Sequence, residues 1–325
     1  MKNLTPAFAF ALLAAFAPAA AAAPALDKAG PPAAASAAEP VKTKVSANGL
    51  VGELYTPAAS RRGQAAILVL GGSEGGYAGA SSEARDLARH GYVSLALAYF
   101  GAPGVPDSLT NIPLEYFKTA LDFLRDQPGV DPNRIGLVGT SKGGEAALLV
   151  AATYSQVRAV VAGVPSSVAW QGYNRRNPMD PAPSWTLNGK PVAFVPYAMD
   201  APFTSVFDLY RRSLTKLDQH QDAVIAVERI HGPVMLACGE ADALWPSCPM
   251  SDAVVSRLKA KGFRYPVQEL KYAGAGHAAF GIPIPAGNPA LATLQALGGD
   301  AAGNVAARAD SWPKALDFLQ RSLRR

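Results

Sequence analysis

Short apolar runs alternate with stretches of helical periodicity along most of the chain. Residues 66–70, 92–98, 135–138, 157–164, 233–239 and 267–272 read as strands, most of them apolar on successive positions and most ending at glycine or proline. Between them, Leu114, Phe117, Leu121 and Leu124 recur at helical spacing, and residues 82–90 and 253–261 carry mixed polar and apolar helical patterns. A last helix is predicted from Ser311-Trp312-Pro313 to about residue 323, with Leu316, Phe318 and Leu319 along it. Strands that are apolar on both faces and separated by helices require a mostly parallel sheet with helices on both sides. Residues 45–55 depart from this rule and predict an opening hairpin around Ala47-Asn48-Gly49.

Residues 166–231 break the alternation, and we read them as an inserted lid. They carry Trp170, Tyr173, Trp185, Phe194, Tyr197, Phe203, Phe207 and Tyr210. These rings either wall an apolar pocket or form a small core of the lid itself, and for most of them the second is expected.

The junction at residues 135–150 carries the chemistry. The strand ends at Gly139, a helix starts at Lys142, and between them stands Gly139-Thr140-Ser141-Lys142-Gly143. A G-x-S-x-G turn of this kind is a nucleophile elbow: it holds the serine in a strained conformation and lifts its Oγ clear of the backbone. A serine hydroxyl is a weak nucleophile and needs a base, itself held in one tautomer by an acid. Of the four histidines, His90 ends a helix, His220 lies in a polar stretch of the lid, and His231 leads into a strand. His277 alone follows the carboxyl end of the last strand, in Ala273-Gly274-Ala275-Gly276, where open α/β sheets place their ligands. Asp242, in the loop after the strand at 233–239, is the expected acid, with Glu240 as its neighbour and competitor. The backbone N–H of Lys142 and an N–H of the Gly71–Gly76 turn would receive an oxyanion; Ser73 is the expected second donor, with Gly72 and Glu74 beside it.

Composition narrows the field. Residues 1–23 combine Lys2, an apolar segment too short to span a bilayer and an Ala19–Ala23 run, and are expected to be a signal peptide. The Ala/Pro-rich residues 24–40 are expected to form a spacer ahead of one large domain at 41–325. Export, periplasmic or beyond, follows as an expectation, with no membrane span left after signal removal. Cys238 and Cys248 are expected to pair in such a compartment; unpaired, Cys238 would be an ordinary buried thiol. The formal charge is +5 and no Lys/Arg cluster is interleaved with aromatics, so a nucleic-acid partner is not expected. Neither metal-ligand spacing nor a redox-cofactor motif is present, and no cofactor is expected. Arg175, Arg176, Arg211, Arg212 and Lys216 in the lid read as a solvated face, with phosphate binding as the alternative.

Several segments together resemble one family. Gly75-Gly76, His90-Gly91-Tyr92, Leu95-Ala96-Leu97-Ala98-Tyr99, Pro113-Leu114-Glu115-Tyr116-Phe117, Ser141-Lys142-Gly143-Gly144-Glu145, Ile225-Ala226-Val227-Glu228-Arg229, residues 239–245, Ala275-Gly276-His277 and Asp310-Ser311-Trp312 are similar to the catalytic domain of acyl-CoA thioesterases and bile acid-CoA:amino acid N-acyltransferase. The likeness spans roughly residues 65–322. It implies an α/β-hydrolase fold with a lid insertion and a triad of Ser141, Asp242 and His277, in agreement with chain order. The acyltransferase branch of that family uses a cysteine nucleophile. Ser141 here implies an acyl-enzyme handed to water, hence a serine hydrolase of small-molecule esters or thioesters. Acyl transfer, a peptidase of the same fold and a non-catalytic binding protein are the competing expectations.

Overall fold

The computed structural model describes residues 38–59, 61–177 and 180–324. The expected signal peptide, and all but the end of the expected spacer, lie outside the described residues. The strands are β1 (Val41–Val45), β2 (Val51–Thr56), β3 (Gln64–Leu70), β4 (Val93–Ala98), β5 (Ile112–Pro113), β6 (Val130–Thr140), β7 (Val157–Gly163), β8 (Trp185–Leu187), β9 (Lys190–Pro191), β10 (Val234–Gly239) and β11 (Val267–Tyr272). The helices are α1 (Ala78–Arg89), α2 (Leu114–Arg125), α3 (Lys142–Thr153), α4 (Val206–Leu214), α5 (Ser247–Ala260), α6 (Ala290–Gln295) and α7 (Ala301–Ser322).

Eight strands form one sheet in the order β1-β2-β4-β3-β6-β7-β10-β11. The β1–β2 and β2–β4 pairs are antiparallel, and every pair from β4 to β11 is parallel. Asn48 and Gly49 close the β1–β2 hairpin at φ 56° and 74°, the left-handed pair that a two-residue turn of this hand requires. Successive residues of β3 serve opposite layers. Ala66, Leu68 and Leu70 pack with α2, α3 and α5, whereas Ala65, Ile67 and Val69 pack with α1 and α7. All seven β3 residues are therefore buried, as the apolar run predicts.

Three helices begin earlier than their sequence pattern suggests: α1 at Ala78, α5 at Ser247 and α7 at Ala301. Proline explains two of these differences. Pro249 lies in the first turn of α5, where a missing N–H costs little. Pro313 resembles a helix start but stands inside the 22 residues of α7. That helix is capped by Asp300, whose side chain accepts from Gly303 N, and is anchored to the core by Trp312 and Phe318.

The irregular stretch at 166–231 contains β8, β9, α4 and three short 3-10 turns. It is sewn to the rest of the domain, since β8 pairs with β5. Its rings correct the expectation of a separate core. Trp170, Tyr173, Trp185, Tyr197, Phe203 and Tyr210 belong to the same buried cluster as Tyr99 and Phe117 of the main domain. Trp185 lies 5.8 Å from Tyr99 and 5.7 Å from Phe117, centroid to centroid. Helical or alternating spacing could not reveal this, because the contacts join residues 68 and 86 positions apart.

Candidate active site

The carboxyl ends of β3, β6, β10 and β11 point to one edge of the sheet, and each contributes to a single cluster. At the end of β6, Ser141 adopts φ 59° and ψ −121°, a conformation that costs a non-glycine residue roughly 1–3 kcal/mol. The flanking glycines are sterically required. A β-carbon on Gly139 would collide with the Gly143 carbonyl, and one on Gly143 with the carbonyls of Leu70 and Gly71. β6, α3 and the end of β3 thus meet backbone to backbone under the serine.

His277 Nε2 lies 2.7 Å from Ser141 Oγ, and its Nδ1 lies 2.9 Å from Asp242 Oδ2. The three side chains that chain order selected form one continuous hydrogen-bonded line, all of them buried. Asp242 is saturated: Oδ1 accepts from the N–H groups of Leu244 and Trp245, and Oδ2 also accepts from Ser247 Oγ at 2.6 Å. The loop before α7 fastens the two halves together. His277 N and Ala243 N both donate to Leu297 O, and Gly299 N donates to Ala241 O. Glu240, the competing carboxylate, is exposed and has no part in the cluster.

Lys142 opens α3, so its N–H has no acceptor within the helix. With Ser73 it lines a narrow crevice against Ser141. The Lys142 side chain turns away from that crevice into the protein. Its Nζ contacts both oxygens of Glu145 at 2.9 and 2.8 Å, and Glu145 also accepts from Trp185 Nε1 at 2.7 Å and Trp170 N at 3.2 Å. Burial pulls Lys142 down and pushes Glu145 up, and each is the main offset for the other. The elbow helix and the lid are thereby tied together through one buried carboxylate.

Cys238, at the end of β10, is disulfide-bonded to Cys248 in α5. The bond brackets the Asp242 loop. Serine at both positions is expected to lower stability by about 2–3 kcal/mol, the loop-closure value for a ring this small. Urea melts of oxidised wild type and the double variant measure it; equal midpoints would assign the bond no stabilising role.

A cavity of about 520 Å³ opens onto Ser141 and His277. Leu244, Leu294, Leu297, Val206, Ala278 and Phe280 give it an apolar lining. Among the described residues of the lid, only Thr204, Ser205 and Val206 reach it, whereas Tyr173, Tyr197 and Tyr210 line the narrow crevice instead. The basic lid residues are largely engaged: Arg176 with Asp107, Arg211 with Asp208, and Arg212 and Lys216 with Asp200. Arg175 donates to Glu74 O at 3.0 Å and packs over Phe100.

Sequence reasoning missed Ser247, Leu297, Glu83 and Arg308, and named Glu74 only for its backbone N–H beside Ser73. Leu297 acts through contacts distant in sequence, and Ser247, although near Asp242 in the chain, carried no spacing signal. Glu83 did leave one, since it falls with Ala80, Ala84 and Leu87 on the buried stripe of α1. Among the described residues, no group of acidic, histidine or cysteine side chains could hold a metal ion, and no helix is long and apolar enough to cross a membrane.

The sheet order, the elbow and the converging loops define an α/β hydrolase. Solved structures agree on the fold. A putative dienelactone hydrolase from Klebsiella pneumoniae superimposes with a TM-score of 0.54 at 17% identity, over 87% of this chain and 98% of that one. A dienelactone hydrolase-like promiscuous phosphotriesterase from metagenomic libraries gives 0.56 at 17% identity, over 88% and 100%. Residues 112–325 match the family described as BAAT / acyl-CoA thioester hydrolase C terminal, and the chain belongs to that family. Mouse acyl-coenzyme A amino acid N-acyltransferase 1 is 30% identical over 243 residues, 73% of this chain and 55% of the relative. Human acyl-coenzyme A thioesterase 1 is 29% identical over 244 residues, again 73% and 55%. The chain thus spans about half the length of the relatives it matches.

Proposed function

We propose that this protein is an exported serine hydrolase that cleaves acyl thioesters or carboxylic esters through an acyl-enzyme. The observation that carries the reading is the line from Ser141 Oγ through His277 to Asp242. As a carboxylate, Asp242 accepts only, so His277 Nδ1 bears the proton and Nε2 is free to take one from Ser141. Ser141 Oγ attacks the acyl carbon, and His277 passes the proton to the departing thiolate or alkoxide. Water then attacks the acyl-enzyme with His277 as base, and the carboxylic acid leaves with Ser141 restored. The N–H groups of Lys142 and Ser73 would receive the oxyanion of each tetrahedral intermediate.

Export is supported by the composition of residues 1–23 and by the Cys238–Cys248 disulfide. The family relationship supports thioesters as substrates, and the apolar cavity beside Ser141 suits an acyl chain. A panel of p-nitrophenyl esters and acyl-CoAs of matched chain length tests the reading. Turnover of either series with covalent fluorophosphonate labelling of Ser141 is the expected result; no turnover and no labelling would remove it. Acyl transfer is the second reading, favoured by the relatives named as N-acyltransferases. It would appear as hydrolysis falling in step with amide formation when amines are added.

A further inference from the structure

One wall of the cavity beside Ser141 carries charge that the hydrolytic reaction does not use. Glu83 stands on the core-facing stripe of α1, between Ala80 and Leu87, and is 7% exposed. Its carboxyl lines the cavity and makes no hydrogen bond or ion pair among the described residues. Burial pushes this carboxyl up to about 7, with Arg308 opposing and Glu74 reinforcing the shift. Arg308 reaches the same wall from α7. Its Nε donates to Ile282 O and its Nη1 to Phe280 O, both at 2.8 Å, which fixes the guanidinium plane. Nη2 has no acceptor among the described residues, and the absence of a side chain at Gly281 leaves room for it. Glu83 and Arg308 influence each other electrostatically yet form no ion pair. Glu74 completes the charged groups of this wall, with one oxygen held by Gly72 N at 2.9 Å.

An unpaired carboxyl on the apolar face of a helix is costly, and leucine there would be more stable. A cost kept beside a reactive serine points to use by a ligand. The chemistry of the wall selects which one. A plain alkyl chain would cover Glu83 and leave it without a partner. A carboxylate would face both Glu74 and Glu83, and a cation would face Arg308. A hydroxyl satisfies both partners with a single neutral group, donating to Glu83 and accepting from the unused Arg308 N–H. The acyl group is the part that stays bonded to Ser141 beside this cavity, because the leaving group must depart before water attacks.

We propose that Glu83 and Arg308 form a polar subsite that receives a hydroxyl on the acyl group of the substrate. This deepens the serine hydrolase reading and rests on it for the acyl-enzyme step. The test is a series of p-nitrophenyl esters of one chain length, unsubstituted or hydroxylated at successive carbons. At one hydroxyl position, wild-type kcat/KM is expected to exceed that for the unsubstituted ester by at least about tenfold, since a site built to bond a hydroxyl discriminates strongly against its absence. Glu83→Leu is expected to abolish that preference while raising Tm; Glu83→Gln, which keeps an acceptor oxygen, retains part of it. Equal or better turnover of the unsubstituted ester at every hydroxyl position overturns the subsite, as does an unchanged preference in both variants. If Glu83→Leu does not fold, the wild-type ratio and Glu83→Gln decide. If no ester is cleaved and fluorophosphonate leaves Ser141 unlabelled, the hydrolase reading fails by itself. Calorimetry with the free hydroxy acids and their unsubstituted counterparts then reads the subsite without turnover, with tenfold tighter binding supporting it and equal binding ending it.

Discussion

Ser141→Ala is expected to reduce kcat by at least about 10⁴-fold while leaving KM and the fold nearly unchanged, because nucleophile and base act as one unit. The Oγ is the only atom lost, and His277 keeps its bond to Asp242. Alanine at 141 inherits the φ of 59°, so it brings no relief of backbone strain. Ser141→Gly does relieve it, and is expected to be more stable than the alanine variant by about 1 kcal/mol. Steady-state kinetics and urea melts of the two variants measure these effects separately. Alanine retaining most of the activity would remove Ser141 from the mechanism. Glycine no more stable than alanine would show that the elbow stores no strain.

Lys142→Met carries the second large effect, and it concerns folding. Glu145 is completely buried and accepts four hydrogen bonds, two from Lys142 and two from lid residues. Removing the ammonium leaves a carboxylate in the core whose charge nothing balances, at a cost of about 3–5 kcal/mol. The backbone N–H of residue 142 survives, so the fraction that folds is expected to turn over substrate at a similar rate. Adding Glu145→Gln removes the orphaned charge but keeps an acceptor for Trp185 Nε1 and Trp170 N. The double variant is expected to recover at least half of the lost stability. Additive losses across the cycle would mean that the two side chains do not act as a pair.

Much of this architecture could be read before any coordinates, for specific reasons. Apart from the edge strand β11, the strands of the parallel sheet are buried on both faces along their cores and therefore appear as apolar runs, and the elbow is local in sequence. Ser141, Asp242 and His277 follow from chain order because each sits just past a strand end. What escaped depends on distant pairing. β8 pairs with β5 across the lid boundary, and the lid rings merge with the main core. Asp300 caps a helix that Pro313 disguised as beginning later. Glu83 was visible as a charge on an apolar stripe, but only the cavity beside it gives that charge a meaning. Arg308 gave no sign at all, since one arginine in a helix resembles any other.

The strip of backbone at residues 297–299 has a practical consequence for anyone reshaping this enzyme. It is laced to the Asp242 loop on one side and to the His277 loop on the other, through main-chain bonds from Ala243, His277 and Gly299. A side chain on Gly298 or Gly276 would push directly into this seam. Insertions or grafts there would shift Asp242 and His277 at once, even without touching either side chain. Libraries that aim to widen the cavity therefore do better to vary Leu244, Leu294 and Val206, which line the space while leaving the stitching intact.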